Sequence, residues 1–171
     1  RYIDFCGGIG CQNTGHRNDR VVSAIKQQLD SLTHTCFQVT PYESYITLAE
    51  RLNGLLPGNF AKKSLFFSAG GEAVENAIKI ARYYTKRPAL ITFTNGYHGR
   101  SYMGMALSAR MIPFKQGFGP FPSDIYRLPF PDDFHGISFE DTKRAFDTLF
   151  RSDCPPDQIA AIFFEPVQGE G

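Results

Sequence analysis

The apolar positions between residues 64 and 85 form two patterns that meet at a pair of glycines. Residues 64–67 contain a short, continuous apolar run after Ser64, which predicts a buried strand. After Gly70 and Gly71, apolar residues recur at helical spacing and place one stripe along a helix, at Ala73, Val74, Ala77, Ile78 and Ala81. Glu75 and Lys79 stand four residues apart in the favourable order, so the sequence predicts an ion pair between them.

Two helices are predicted ahead of this region. The first spans residues 19–32, and Asn18 or Asp19 can accept hydrogen bonds from its first backbone N–H groups. The second opens at Thr40, which forms a capping box with Glu43 and is followed by a proline at the first helical position.

Strands and helices alternate in the second half of the chain. Apolar runs at residues 89–94, 125–128 and 159–164 predict three strands. Ser138 and Asp141 predict a capped helix before the last of them. This alternation predicts an α/β fold with a mostly parallel sheet flanked by helices.

Three loops are expected at the carboxyl ends of these strands, where parallel sheets bind ligands. They are residues 69–71, 97–100 and 165–170. The glycine turn offers backbone N–H groups at the start of a helix, which suits a phosphate, although an ordinary strand-to-helix turn also favours glycine. The second loop adds an aromatic ring and a cation, and the third adds two carboxylates. Together they suit a flat, phosphorylated, partly cationic ligand.

Each chemically interesting side chain in these loops also has an ordinary structural interpretation. Tyr97 can stack on a conjugated ring or fill the core. Arg100 can bind a carboxylate through two parallel hydrogen bonds or remain a surface charge. Glu165 and Glu170 can take part in a site or be solvated loop residues. Their spacing alone does not decide between these interpretations.

The composition argues against several other classes of function. The 171 residues are 42% hydrophobic and 20% charged with a formal net charge of +1, which disfavours nucleic acid or an anionic membrane as partner. No apolar run approaches the length of a membrane span. The four cysteines lack CxxC spacing, which favours free thiols in a reducing, cytoplasmic compartment.

The first residue is not methionine and the last residues form a loop, so we expect a fragment, and a targeting signal can lie outside it.

Motifs of a known family occur in order along nearly the whole chain. They lie at residues 4–16, 34–38, 72–77, 97–100, 135–138 and 165–171, among them Tyr97-His98-Gly99-Arg100 and Glu165-Pro166-Val167-Gln168-Gly169-Glu170-Gly171. In these motifs the sequence resembles the class III pyridoxal-phosphate-dependent aminotransferases of fold type I. Within that family, it is most similar to the 4-aminobutyrate aminotransferases.

The resemblance implies which residues bind the cofactor, pyridoxal 5′-phosphate. Gly70 and Gly71 would bind its phosphate through backbone N–H groups, although the family usually has serine, threonine or alanine at the second position. Tyr97 would stack on the pyridine ring, and His98 would lie beside the cofactor without transferring a proton. Glu165 would support both the cofactor and the substrate.

The resemblance also implies substrate contacts. Arg100 would bind the substrate carboxylate. Glu170 would pair with an arginine further along the chain, and this switchable pair would let one site accept both an amine without an α-carboxylate and a dicarboxylic keto acid. Ile9 and Gln38 match positions that line the substrate pocket.

No catalytic residue is assigned within the chain. The family attaches the cofactor to a lysine and faces the pyridine nitrogen with an aspartate, and both are expected beyond Gly171. None of the chain's lysines matches the catalytic motif, namely Lys26, Lys62, Lys63, Lys79, Lys86, Lys115 and Lys143. Residues 1–171 are expected to form one partial domain, the N-terminal part of the cofactor-binding large domain, beginning with an N-terminal segment of roughly 40–60 residues and lacking the C-terminal half of the fold.

The implied activity is a transamination. The amino group of 4-aminobutyrate, or of a similar ω-amino acid, would move to 2-oxoglutarate and give succinate semialdehyde and glutamate. The implied assembly is a homodimer or homotetramer, and no metal is expected. The alternatives are a preference for 5-aminovalerate, ornithine or acetylornithine, an isomerase or decarboxylase with the same cofactor, and a non-catalytic short form.

Overall fold

The computed structural model of the chain describes residues 1–170. Contacts within the chain divide it into two compact units, Arg1–Leu65 and Phe66–Gly171. That both units belong to one partial domain stays a prediction. Among the described residues, no helix combines the length and the apolar character needed to cross a lipid bilayer.

The first unit contains three helices, α1 (Gly7–Gly10), α2 (Asp19–Leu29) and α3 (Glu43–Leu55). The predicted cap of α2 is confirmed, because the Asn18 side chain accepts hydrogen bonds from the backbone N–H groups of Arg20 and Val21. The predicted capping box of α3 is wrong. Tyr42 is the N-cap and makes no side-chain cap bond, while the carbonyl of Thr40 accepts a 2.8 Å hydrogen bond from the Thr35 hydroxyl and so belongs to the preceding turn.

The second unit contains a three-stranded sheet, with one helix before its first strand and further helices between its strands. Its elements are α4 (Gly70–Thr85), β1 (Ala89–Phe93), α5 (Tyr102–Leu107), β2 (Ile125–Leu128), α6 (Phe139–Ser152) and β3 (Ile159–Ile162). The strand order is β2-β1-β3, and both neighbours run parallel to β1. The predicted α/β fold with a parallel sheet is therefore confirmed. The predicted capping box of Ser138 and Asp141 at α6 is also confirmed.

Strand β1 is buried along its whole length. Ile91 and Phe93 pack into one core cluster with Leu149 of α6. Leu90, on the opposite face, packs with Ile78 of α4 and with Leu107 of α5. Helices therefore cover both faces of the sheet, and its central strand reads as a continuous apolar run, as buried parallel strands do.

The strand predicted at residues 64–67 does not form. Residues 61–67 are neither helical nor strand, and the side chain of Leu65 is 61% exposed. An apolar run shows only that a segment has apolar side chains, whereas a strand also needs a hydrogen-bonding neighbour. Within the described residues, no ladder extends beyond the three strands of the sheet.

The ion pair predicted between Glu75 and Lys79 is also wrong. The Glu75 carboxylate accepts a 2.9 Å hydrogen bond from the backbone N–H of Met103, and Lys79 donates to Asn76. Met103 lies in the first turn of α5, where backbone N–H groups have no partner inside the helix. Glu75 therefore satisfies one of these groups and joins α4 to α5.

Substitution of Gly104 should destabilise the second unit, because this glycine lies where α5 contacts the preceding loop. A Cβ atom at Gly104 would lie 2.8 Å from the His98 carbonyl oxygen and 3.1 Å from the Gly99 carbonyl carbon. Backbone atoms at these distances must move, so we expect Gly104→Ala to lower the free energy of unfolding by about 1–3 kcal/mol. Urea denaturation measures this change.

Gly54→Ala is the matched control, because Gly54 is also a helical glycine and has nothing within 4 Å of the added Cβ. It should raise stability by about 0.5–1 kcal/mol, since alanine loses less backbone entropy on folding. Equal stability of the Gly104→Ala variant and the parent would contradict the close packing of α5 on the loop.

Candidate active site

The amino terminus of α4 leaves backbone N–H groups free to bind a ligand. Ala69 caps the helix without a side-chain hydrogen bond, and the first bond of this helix end runs from the N–H of Ala73 to the carbonyl of Ala69. Among the described residues, the N–H groups of Gly70 and Gly71 have no acceptor. Free N–H groups and the helix dipole together favour an anion at this position.

The loop that follows β1 passes directly beside this helix end. Gly99 has a φ of +101°, and a Cβ at this position would lie 3.2 Å from the Cα of Gly71. Position 99 therefore favours glycine for two reasons: its backbone is left-handed, and another backbone lies too close for a side chain. The predicted loops at residues 69–71 and 97–100 are thus adjacent in the structure.

Glu165 joins this loop to the third predicted loop. One carboxylate oxygen, Oε2, accepts a 2.8 Å hydrogen bond from the backbone N–H of Tyr97. The other, Oε1, accepts a 3.2 Å hydrogen bond from the N–H of Gly169. The side chain of Gln168 donates a 2.7 Å hydrogen bond to the carbonyl of Thr94 at the end of β1. The carboxyl ends of β1 and β3 therefore carry loops that are bonded to each other.

His98 lies in the interior of this arrangement. His98 is only 8% exposed, and its ring nitrogen Nε2 lies 3.1 Å from the hydroxyl of Thr92. Its backbone N–H donates a 2.9 Å hydrogen bond to the Ser108 hydroxyl. Burial lowers the pKa of His98, and this effect outweighs the opposing charge of Glu165, while Arg127 lowers it further. A buried histidine with a lowered pKa is held in the neutral form.

Tyr97 and Arg100 lie on either side of this buried histidine. The Tyr97 ring is half-buried and contacts the Phe114 ring, with a centroid distance of 5.2 Å. Arg100 is exposed and borders a cavity of about 300 Å³ with Phe114. The other lining residues of this cavity are Met105, Pro113 and Phe118. One guanidinium beside an apolar cavity suits a small carboxylate with an apolar chain.

Glu170 has a neighbour that the sequence did not indicate. Its Oε2 lies 3.9 Å from Nη1 of Arg110, and both side chains are about half exposed. Backbone hydrogen bonding holds this segment near the site, because the N–H of Ala109 donates to the carbonyl of Gly96 at 2.8 Å. The expected pairing of Glu170 with an arginine further along the chain stays a prediction.

The structure gathers most of the predicted site residues in the second unit, namely Gly70, Gly71, Tyr97, His98, Arg100, Glu165 and Glu170. Ile9 and Gln38 lie in the first unit. Ile9 is exposed in α1 with a φ of +56°, and Gln38 is exposed in a turn after Phe37. Their part in substrate binding stays a prediction. The predicted motif at residues 165–171 ends at Gly171, which lies outside the described residues.

Several structural partners of the site were not predicted. Thr92, Ser101 and Ser108 each make a side-chain hydrogen bond at the loop or at the start of α5. Only Ser101 carried a local signal, because a serine before a short apolar segment favours an N-cap. Thr92 and Ser108 acquire their partners through tertiary contacts that local sequence does not encode.

Comparison with known proteins supports one family. The family model described as Aminotransferase class-III matches residues 1–171. The 5-aminovalerate aminotransferase DavT of Pseudomonas putida is 50% identical over 169 residues, which cover 99% of this chain and 40% of that protein. The 4-aminobutyrate aminotransferase GabT of Escherichia coli is 49% identical over 170 residues, with the same shares covered. The chain thus spans about 40% of the length of these curated relatives.

Solved structures agree with this assignment. The taurine:2-oxoglutarate aminotransferase from Bifidobacterium kashiwanohense, solved in complex with PLP and glutamate, superposes with a TM-score of 0.84 at 26% identity and covers 95% of this chain and 38% of that one. An omega-transaminase from Thermomicrobium roseum gives a TM-score of 0.84 at 30% identity, covering 98% of this chain and 40% of that one. The predicted fold type I is confirmed, and the chain belongs to the class-III aminotransferases.

Proposed function

We propose that the complete protein containing this chain is a pyridoxal 5′-phosphate-dependent transaminase. It transfers the amino group of 4-aminobutyrate, or of a similar ω-amino acid, to 2-oxoglutarate. The observation that carries this proposal is the meeting of three loops in the second unit: a free helix end at Gly70, the ring and cation of Tyr97 and Arg100, and the Glu165 carboxylate.

The residues present fit the cofactor. The free N–H groups of Gly70 and Gly71 are donors for its phosphate, and the half-buried Tyr97 offers an aromatic face for its ring. When bound, the cofactor supplies the electron sink for amino-group transfer. Glu165 and His98 position the loop that carries Tyr97, and the burial of His98 with its contact to Thr92 agrees with a positioning role.

Arg100 is proposed to bind the carboxylate at the far end of the amino donor. Its place in the lining of a mostly apolar cavity supports this role, since methylene groups next to the carboxylate would contact Met105 and Phe118. The keto acid would place a carboxylate on the same guanidinium. The binding of two such substrates is the property that Glu170 is proposed to regulate.

No lysine of this chain is proposed to attach the cofactor. Lys115 is buried and donates a 3.0 Å hydrogen bond to the carbonyl of Ser108, and Lys79 donates to Asn76. Lys62 donates to the carbonyl of Gly58. These three lysines have structural partners of their own. Because none of the chain's seven lysines matches the catalytic motif of the family, we infer that the lysine of the family's chemistry is not among residues 1–171.

The assembly and location are proposals as well. We expect a homodimer or homotetramer, because that is what the family resemblance implies. We expect the cytoplasm, because Cys6, Cys11 and Cys36 are free and exposed, which suits a reducing compartment. The amino donor can also be 5-aminovalerate, since a relative that is 50% identical carries that name.

Adding a hydroxyl at Gly71 should strengthen cofactor binding. A Cβ at this position would lie 3.8 Å from Oγ and 3.9 Å from Cβ of Ser101, which are ordinary contacts. In Gly71→Ser, a side-chain donor would be added to the phosphate site, and a hydrogen bond to a charged group contributes about 1.5–3 kcal/mol. We therefore expect the dissociation constant of pyridoxal phosphate to fall roughly 10- to 160-fold, measured by equilibrium dialysis of the complete protein.

Gly71→Ala is the matched control for that measurement, because it adds the same Cβ without the hydroxyl. It should leave the dissociation constant unchanged within about twofold. Equal affinities of the serine and alanine variants would show that the phosphate does not bind at this helix end.

Removal of the Arg100 guanidinium should weaken recognition of the substrate carboxylate. In the complete protein, we expect Arg100→Ala to lower kcat/KM for 4-aminobutyrate by roughly 10- to 100-fold, since a hydrogen bond to a charged group contributes about 1.5–3 kcal/mol. The value for 1-aminobutane, which lacks the carboxylate, should change little. Steady-state assays with 2-oxoglutarate as acceptor measure both.

Arg144→Ala provides the control, because Arg144 is an exposed cation of α6 that pairs with Asp141. It should leave both values unchanged. An equal loss for the two amines in Arg100→Ala would refute the carboxylate role. A clear preference of the parent for ornithine over 4-aminobutyrate and 5-aminovalerate would refute the proposed class of substrate.

A further inference from the structure

Ser108 lies at the point where α5 ends and contacts the loop that carries Tyr97 and Arg100. It is 1% exposed. Its hydroxyl accepts a 2.9 Å hydrogen bond from the backbone N–H of His98 and donates one of 2.8 Å to the carbonyl of Gly104. Within the described residues, this hydroxyl is the acceptor for the His98 N–H, a buried donor that would be costly to leave unpaired.

Ser108 is itself fixed by two cations. Its carbonyl oxygen accepts a 3.0 Å hydrogen bond from Nζ of Lys115 and one of 2.9 Å from Nη2 of Arg127. Arg127 also donates to the carbonyls of Ala106 and Leu107 at the end of α5. The position of the Ser108 hydroxyl is therefore determined by groups outside the loop that it contacts.

The side chain of His98 is held by a second hydroxyl. The hydroxyl of Thr92 lies 3.1 Å from Nε2 of His98 and 3.2 Å from the carbonyl of Leu107. Because a carbonyl can only accept, the single hydroxyl proton of Thr92 is assigned to Leu107, and His98 then donates from Nε2. This assignment fixes the neutral histidine as one tautomer, with Nδ1 unprotonated.

Both neighbours of His98 along the chain carry the proposed chemistry. Tyr97 precedes it, and its N–H is bonded to Glu165. Gly99 and Arg100 follow it, and Gly99 packs against Gly71. A shift of the His98 backbone would therefore move an aromatic ring on one side and a guanidinium on the other.

We propose that Ser108 is a positioning residue for the carboxylate-binding arginine of the active site. Its hydroxyl anchors the backbone of residues 97–100 through the N–H of His98, and so sets where the Arg100 guanidinium stands relative to the Tyr97 ring. This inference rests on the proposed function, because it concerns the substrate carboxylate that Arg100 binds.

The test uses the ratio of kcat/KM for 4-aminobutyrate to kcat/KM for 1-aminobutane in the complete protein. The two amines differ only in the carboxylate, so the ratio reports the placement of Arg100 and not the amount of folded enzyme. In Ser108→Ala, we expect the ratio to fall by roughly 5- to 50-fold, because a misplaced charged donor loses most of its bond to the carboxylate. Ser108→Thr keeps the hydroxyl and should retain most of the ratio.

Thr142→Val is the matched control. Thr142 is also buried, at 4% exposed, and its hydroxyl donates a 3.0 Å hydrogen bond to the carbonyl of Pro129. This variant removes a buried hydroxyl without touching the loop, so it should lower stability and leave the ratio unchanged.

Should Ser108→Ala not fold, Ser108→Cys keeps a similar shape with a weak acceptor and should shift the ratio in the same direction.

A second readout does not depend on activity. Nitrogen-15 NMR of labelled histidine in the parent should show His98 with a protonated Nε2 and an unprotonated Nδ1, and hydrogen exchange of the His98 amide should accelerate at least tenfold in Ser108→Ala. An unchanged ratio in a folded Ser108→Ala variant would overturn the positioning role alone. A parent that does not prefer the carboxylate-bearing amine would overturn the proposed function, and the positioning role with it.

Discussion

The burial of strand β1 constrains everything that the second unit presents to a ligand. Its five residues are covered on both faces and paired on both edges, so the strand can neither slide nor rotate without exposing apolar surface. The chain leaves it at one fixed point, beside the carboxyl ends of β2 and β3. The loop with Tyr97, His98 and Arg100 begins there. This fixed starting point explains why the loop has a defined conformation although it contains two glycines.

Hydrogen bonds from three elements then hold this loop. Glu165, after β3, accepts from the backbone of Tyr97, whereas Ser108, after α5, accepts from the backbone of His98. Thr92, within β1, contacts the imidazole. Two of these three anchors are neutral hydroxyls in a buried setting, where a charged partner would incur a large desolvation cost. They place the loop while leaving the charge of Arg100 at the surface, available to a ligand.

Local sequence predicted the elements whose formation depends on their own residues. The three parallel strands, helix α2 with its Asn18 cap and helix α6 with its capping box follow from periodicity and capping chemistry. The capping box of α3 failed locally, because Tyr42 and not Thr40 is the N-cap. The other two errors occurred where a distant group decides the outcome. Glu75 bonds to Met103, 28 residues away, in preference to its helical neighbour Lys79, and residues 64–67 form no strand, since within the described residues no other strand pairs with them.

The same distinction applies to the candidate site. The motif at residues 97–100 predicted the loop, and the family resemblance implied the roles of its residues. The hydroxyls of Thr92 and Ser108 that hold the loop could not be predicted from the sequence. Helix α5 was also missed, because six residues are too few to show a helical period. Its start is stabilised by Ser101 and by Glu75 from another helix, and only the second of these depends on the tertiary fold.

The contact between Arg110 and Glu170 differs in kind from these anchors. Its charged atoms are 3.9 Å apart and both side chains are about half exposed, so water and salt screen the attraction, and such pairs contribute only about 0–1 kcal/mol. A pair this weak can exchange partners on binding a substrate, whereas a buried pair would lose several kcal/mol on breaking. The proposed alternation of Glu170 between partners requires a low cost of release. The exposed geometry meets that requirement, and the rigid positioning of the loop comes from Glu165 and from the buried hydroxyls of Thr92 and Ser108.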